Sequence, residues 1–294
     1  MNSRLNIKKA FALFAALFLI LSSNTVKAGD EDNHGLWTSF EMTKKVNKKF
    51  KVGAEFEFRT TDYMKEVERY SIGFNCQYKI NSWLKASAGN IFIMGYNPGK
   101  YKEHFDSDNN ELDGFNYDNS YWDKRNRVFI ALSGDVKIGR VQISLRERLQ
   151  YTRTHAEIID EDKYRFEKEE NILFDENGIP LFDENWNTIT ETTINWLDKV
   201  TEDETKKHKN NMVLRSRLTA KWDIKDCKIN PFVSAELYTR LDQWKGFDKL
   251  RSRIGASYSI NKDNAIEIYY LFEKAGQKGN ADTHAIGIGY SLDL

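Results

Sequence analysis

Among 294 residues there are only two cysteines and three prolines, and 44 Lys and Arg are cancelled by 44 Asp and Glu. Two cysteines exclude a disulfide-stapled scaffold and a cysteine-based metal framework. A balanced charge leaves none of the basic excess that nucleic-acid binding needs, so nucleic acid is excluded as a partner. Beyond residue 28 no run approaches the ~20 consecutive apolar residues of a membrane-spanning helix, so any crossing is made by strands. The five histidines (His34, His104, His155, His208 and His284) are scattered, and no serine motif accompanies them. A lipase- or protease-type enzyme therefore has no nucleophile and base signature here, and no catalytic, cofactor or metal residue is assigned. Mean hydropathy is −0.65. That value suits a soluble protein, and equally a membrane barrel in which only every second strand residue meets lipid.

What is present begins with residues 1–28, which read as a cleaved signal peptide. Arg4, Lys8 and Lys9 make the basic start, Ala10 to Ser22 the apolar run, and Val26-Lys27-Ala28 the cleavage site. The remaining 266 residues carry 40 basic against 44 acidic side chains. They are expected to form a single outer-membrane β-barrel over 29–294.

Strand after strand then alternates with a period of two, which puts apolar and polar sets on opposite faces. Phe50, Val52, Ala54, Phe56 and Phe58 oppose Lys51, Gly53, Glu55, Glu57 and Arg59. Tyr70, Ile72, Phe74, Cys76 and Tyr78 oppose Arg69, Ser71, Gly73, Asn75 and Gln77. Similar segments follow at 83–96, 127–138, 141–151, 212–222, 232–240, 250–260, 265–274 and 283–294, with a weaker one at 36–43. Links alternate between short (44–48, 81–82, 139–140, 224–229, 261–264) and long or polar (61–66, 97–124, 153–210, 241–248, 275–282). Outer-membrane barrels have short periplasmic turns and longer extracellular loops.

A soluble sandwich also alternates. Three features favour a transmembrane antiparallel barrel. Most of the segments run ten or more residues, against a globular mode of about 5–6. Aromatics of the apolar parity form two girdles: Tyr78, Trp222, Tyr258 and Tyr290 toward the short-turn end, and Tyr70, Tyr96 and Tyr151 toward the long-link end. Gly289, Leu292 and Leu294 resemble the C-terminal signal of outer-membrane proteins, with Leu in place of the more usual Phe. Eleven candidate strands conflict with the even number that full antiparallel closure demands. Ten or twelve strands are therefore expected, with twelve favoured.

The polar parity is the candidate site. Arg59, Arg69, Arg127, Arg146, Arg148, Arg215, Arg217, Arg240, Arg251 and Arg253 are expected to line the lumen, with Glu55, Glu57, Asp135, Glu236, Glu267 and Glu273. Such a lumen either passes small anionic solutes or is filled by crossing salt bridges, the second being the more common fate of so narrow a barrel. Glu147 shares the lipid-facing parity and requires a bulge or an interfacial position. The segment 153–210 is expected to be a long acidic extracellular loop: 157–209 holds 16 acids against 7 Lys and Arg. It repeats Leu173-Phe174-Asp175-Glu176-Asn177 as Leu181-Phe182-Asp183-Glu184-Asn185, a solvated turn rather than a Ca²⁺ loop, and its apolar residues suggest folding over something. Cys76 and Cys227 are expected to lie apart.

Gly35-Leu36-Trp37, the run from Val52 to Arg59, Arg146-Glu147-Arg148-Leu149-Gln150-Tyr151, Arg251-Ser252-Arg253-Ile254-Gly255 and Tyr269-Tyr270 resemble the bacterial family called domain of unknown function 2490. The resemblance implies an outer-membrane barrel and brings no activity. The expected role is structural or passive transport, with outer-membrane lipid and the barrel-assembly machinery as partners. A surface-binding role through 153–210 is the other non-enzymatic class, and the sequence sets no oligomeric state.

Overall fold

The computed structural model describes residues 32–107, 111–242, 246–276 and 281–294, so the proposed signal peptide lies outside the described residues. Sixteen strands follow in chain order. They are β1 (Asn33–Lys45), β2 (Phe50–Thr61), β3 (Glu66–Lys79), β4 (Leu84–Asn97), β5 (Lys100–Phe105), β6 (Leu112–Asp118), β7 (Tyr121–Ile138) and β8 (Val141–Thr154). Then come β9 (Glu157–Ile172), β10 (Thr190–Trp196), β11 (Val200–Lys206), β12 (Lys209–Trp222), β13 (Ile229–Arg240), β14 (Gly246–Ser259), β15 (Asn264–Ala275) and β16 (Thr283–Asp293). The chain divides into two compact units, the second comprising Tyr96–Asp123 and Thr154–Lys209.

The first unit is a closed barrel of eleven strands in the order β1-β16-β15-β14-β13-β12-β8-β7-β4-β3-β2. The count falls between the ten and the twelve expected, and the reason is physical. An even count is forced only when every neighbouring pair is antiparallel. Here β1 pairs with β16 in parallel, from Asn33 opposite Thr283 to Thr43 opposite Asp293. The weak segment 36–43 is thus a full wall strand. The seam is bonded at both ends: Asn33 N donates to Asp282 O at 2.9 Å, and Lys45 N to Leu294 O at 3.0 Å.

The alternation produces two faces. Ile130 is 61 % exposed, and Phe56, Ile72, Phe92, Leu218, Ile268 and Ile286 are likewise exposed on the outside. Leu271, of the other parity, is 1 % exposed. An exposed apolar band around a closed barrel is the exterior of a transmembrane barrel, where lipid replaces water. Tyr70, Tyr78, Tyr151 and Tyr258 are exposed on this face. Phe40 stacks on Tyr290 across the parallel seam at 5.7 Å. Trp222 is half-buried. Tyr96 packs on Trp122 at 5.3 Å and is counted with the second unit.

Among the described residues, a small apolar cluster lies inside, Trp37, Leu271 and Ala285, with Tyr269 against it. Tyr269 lies opposite Gly287 on one side and Gly255 on the other. A Cβ at Gly287 would come within 2.0 Å of the Tyr269 ring. Glycine is required there so that the ring can lie flat along the wall.

The segment 153–210, expected as a long acidic loop between wall strands, carries strands of its own within the second unit. That segment supplies β9, β10 and β11, and β9 pairs with all of β6, β10 and β11 in antiparallel fashion, while β5 pairs with β6. The acidic composition concealed strands whose carboxylates pair with lysines. Lys163 meets Glu202, and Lys199 meets Asp162 at 3.1 Å.

Candidate functional site: a charge-segregated lumen

A cavity of about 900 Å³ runs inside the barrel. Each inward strand brings charged side chains to it, because the outward positions of the same strand are taken by apolar residues. Arg59, Arg69, Arg127, Arg146, Arg148, Arg215, Arg217, Arg240, Arg251 and Arg253 all line it, as do Glu55, Glu57, Glu236, Glu267 and Glu273. Asp135 does not; it sits beyond the cavity, 2.7 Å from Lys85 Nζ.

Thirteen Lys and Arg face eight Asp and Glu along this lining. They are not mixed. The contiguous strands β7, β8, β12, β13 and β14 carry eleven of the cations and two of the acids, Glu236 and Asp248. The contiguous strands β15, β16, β1, β2 and β3 carry six acids and two cations, Arg59 and Arg69. A low-dielectric shell around two oppositely charged walls sets up a transverse field across the cavity. Single strands do not reveal this, because the pattern emerges only when non-sequential strands β8 and β12 become neighbours.

The ion pairs run along the walls. Glu57 holds Arg59 at 2.9 Å on its own strand and also holds Arg69 on the next. Glu236 accepts from Arg146 at 2.7 Å, Arg215 at 2.9 Å and the Tyr238 hydroxyl at 3.1 Å. Arg251 is shared between Glu273 and, at 3.9 Å, Glu236. These ion pairs join residues on one strand or on strands one or two apart in the barrel order. Aromatic rings also support the guanidiniums: Arg59 lies 3.4 Å over Trp37, Arg148 4.0 Å over Phe129, and Arg253 5.2 Å over Tyr269.

Elsewhere the polar groups are accounted for locally. On the outer parity, Ser216 donates to Glu147 at 2.6 Å, which lowers the cost of a carboxylate facing lipid. His34 stacks on His284 at 5.1 Å, and His284 Nδ1 lies 2.6 Å from the Tyr270 hydroxyl. Cys76 and Cys227 are free. In the second unit, Asp118, Glu161 and Glu204 bring carboxylates within 4.8 Å of one another. Lys102 and Lys206 already offset them, each 2.8 Å or less from Asp118. These hydrogen bonds outweigh burial and hold Asp118 down at about 2. The two repeats form the same turn. Asp175 Oδ1 accepts from the amides of Asn177 and Ile179, and Asp183 Oδ1 from those of Asn185 and Asn187, all at 2.8 Å. Those bonds keep both aspartates below the usual carboxylate range.

The sequence matches the family described as "Protein of unknown function (DUF2490)" over residues 34–284. The chain belongs to this family. The matched region runs from β1 to the start of β16, so it takes in the second unit and all the charged residues that line the cavity. No curated protein matches the sequence. Among solved structures, the translocator domain of autotransporter NalP from Neisseria meningitidis is similar at 12% identity, covering 98% of each chain, with a TM-score of 0.31.

Proposed function

We propose that this family member sits in the bacterial outer membrane and that its lumen handles small anionic solutes passively. The apolar exterior supports insertion in lipid, the N-terminal 28 residues support export, and the barrel-assembly machinery is the partner that inserts such folds. Short turns then face the periplasm. The observation that carries the anion preference is the surplus of thirteen lumenal cations over eight acids. The test is a planar-bilayer recording on the full-length folded protein. Small anion-selective conductance is the expected result, and a cation-selective pore refutes the reading. Recovery of the protein as a soluble periplasmic monomer refutes the location.

One observation favours a second reading, surface binding through the second unit. On one face of its sheet Tyr101, Phe115, Tyr117, Tyr164, Phe166 and Trp196 form an unbroken chain of ring contacts between 4.5 and 5.7 Å, and Tyr101 and Trp196 are exposed. Deleting residues 160–205 separates the two. Unchanged conductance leaves that unit as a binding element, and altered conductance ties it to the pore.

A further inference from the structure

The basic wall carries nine guanidinium groups along the cavity and two carboxylates, Glu236 and Asp248. Glu236 is its one deeply buried acid, 3 % exposed, and both of its oxygens are taken by Arg146, Arg215 and Tyr238. Among the described residues, Arg148 and Arg217 have no acid within ion-pair distance. Arg148 is held rigidly: its guanidinium lies on Phe129, and its buried Nε has no hydrogen-bond partner. The charges acting on it are those of Arg146 and Arg215, then the acids Glu236 and Glu55. Arg217 faces Arg146, Arg253 and Arg215, with Glu236 on its own wall and Glu41 on the acidic wall as the acids that act on it. The four guanidiniums on the neighbouring strands β8 and β12 therefore have one directly paired carboxylate, Glu236, and the other acids they feel lie on the wall opposite.

Like charges held in a low-dielectric space repel strongly, and a fixed array of them is costly when empty. Guanidinium forks suit planar or tetrahedral oxyanions, which accept two parallel N–H bonds from each fork. We propose that Arg148 and Arg217, with Arg146 and Arg215 beside them, form a binding site for a compact oxyanion of two or more negative charges, a phosphate or polycarboxylate group. The inference rests on the anion reading above and deepens it: the lumen holds a discrete site rather than a diffuse positive field. A monovalent halide satisfies one fork and leaves the other arginines facing each other. A multivalent oxyanion spans both strands. The cavity of about 900 Å³ is ample for such a ligand. The acidic wall opposite, with Glu55 and Glu57, favours a ligand whose charge is confined to one side.

The test uses the full-length barrel folded in detergent, titrated with inorganic pyrophosphate at ionic strength held constant with sodium chloride. Thermal unfolding is followed by tryptophan fluorescence. The expected result is a saturable rise in Tm. The double variant Arg148→Gln/Arg217→Gln should weaken the apparent affinity about a hundredfold, about tenfold for each charge-assisted hydrogen bond removed. The same variant should melt higher than the wild type without ligand, because repulsion is relieved. A purely structural role for these arginines predicts the opposite sign. The rim variant Asp223→Asn should titrate as the wild type does. Absence of saturable stabilisation overturns the proposal, as does an unchanged titration in the double variant. Binding is read without conductance, so the two readings fail separately: binding in a barrel that conducts nothing removes transport and keeps the site, and conductance without saturable binding does the reverse.

Discussion

Replacing Glu236 by Gln tests whether one carboxylate organises the basic wall. The side chain keeps its shape and loses its charge. Arg146 and Arg215 then face it at 2.7 and 2.9 Å without a counter-charge, and Arg251 loses one of its two acids. Each direct ion pair is on the order of 4 kcal/mol at an effective dielectric of about 20, most of which is offset by the cost of desolvating the ions. Removing one member of a buried set leaves that desolvation in place, so the expected loss is about 3–5 kcal/mol of folding stability. The exposed pair Lys137–Asp223, 2.9 Å apart, is the control, and Asp223→Asn should cost about 0–1 kcal/mol. Urea unfolding in detergent micelles gives both values. Adding Arg217→Gln to Glu236→Gln should recover part of the loss, since one repelling charge is removed. A cost below about 1 kcal/mol for Glu236→Gln, no greater than that of Asp223→Asn, would refute the hub.

Three further outcomes are expected. Ile130→Arg on the outer face should cost about 2–4 kcal/mol in refolding titrations into lipid vesicles, whereas Gln77→Arg on the acidic wall should cost far less; equal losses contradict the two faces. The parallel β1–β16 seam places the start of β1 and the end of β16 at opposite ends of the barrel, so epitopes inserted between Asp32 and Asn33 and after Leu294 should be accessible from opposite sides of the membrane in intact cells. Labelling of both from one side rules out the parallel closure. In the second unit Asp118 is depressed to about 2 in the folded protein, against an ordinary value near 3.9. The stability it confers is present above the ordinary value and is lost as pH falls from about 4 through about 2. Asp118→Asn should therefore flatten the acid limb of protease resistance in that unit, and an unchanged acid limb counts against the Lys102 and Lys206 pairing.

The face of every barrel strand was legible in the sequence, because side chains alternate strictly with a period of two and a lipid exterior tolerates little else. Phe56, Ile130 and Ile268 point outward for that reason, and the arginines of the opposite parity point to the lumen. The eleven wall segments were legible too, but that an odd number of them could close was not. It depends on β1 meeting β16 in parallel, a pairing between segments some 250 positions apart that leaves no mark on either one. The strands of 153–210 were hidden as well. Lys163 on β9 meets Glu202 on β11, Asp162 on β9 meets Lys199 in the link before β11, and Asp118 on β6 meets Lys206, so a composition that reads as solvated is in fact paired across strands. The lumen divides in the same way: its residues were set by local alternation, but their sorting into a basic and an acidic wall was decided only when closure made β8 and β12 neighbours, since electrostatic interactions depend on distance in space and the sequence orders the chain only along its length.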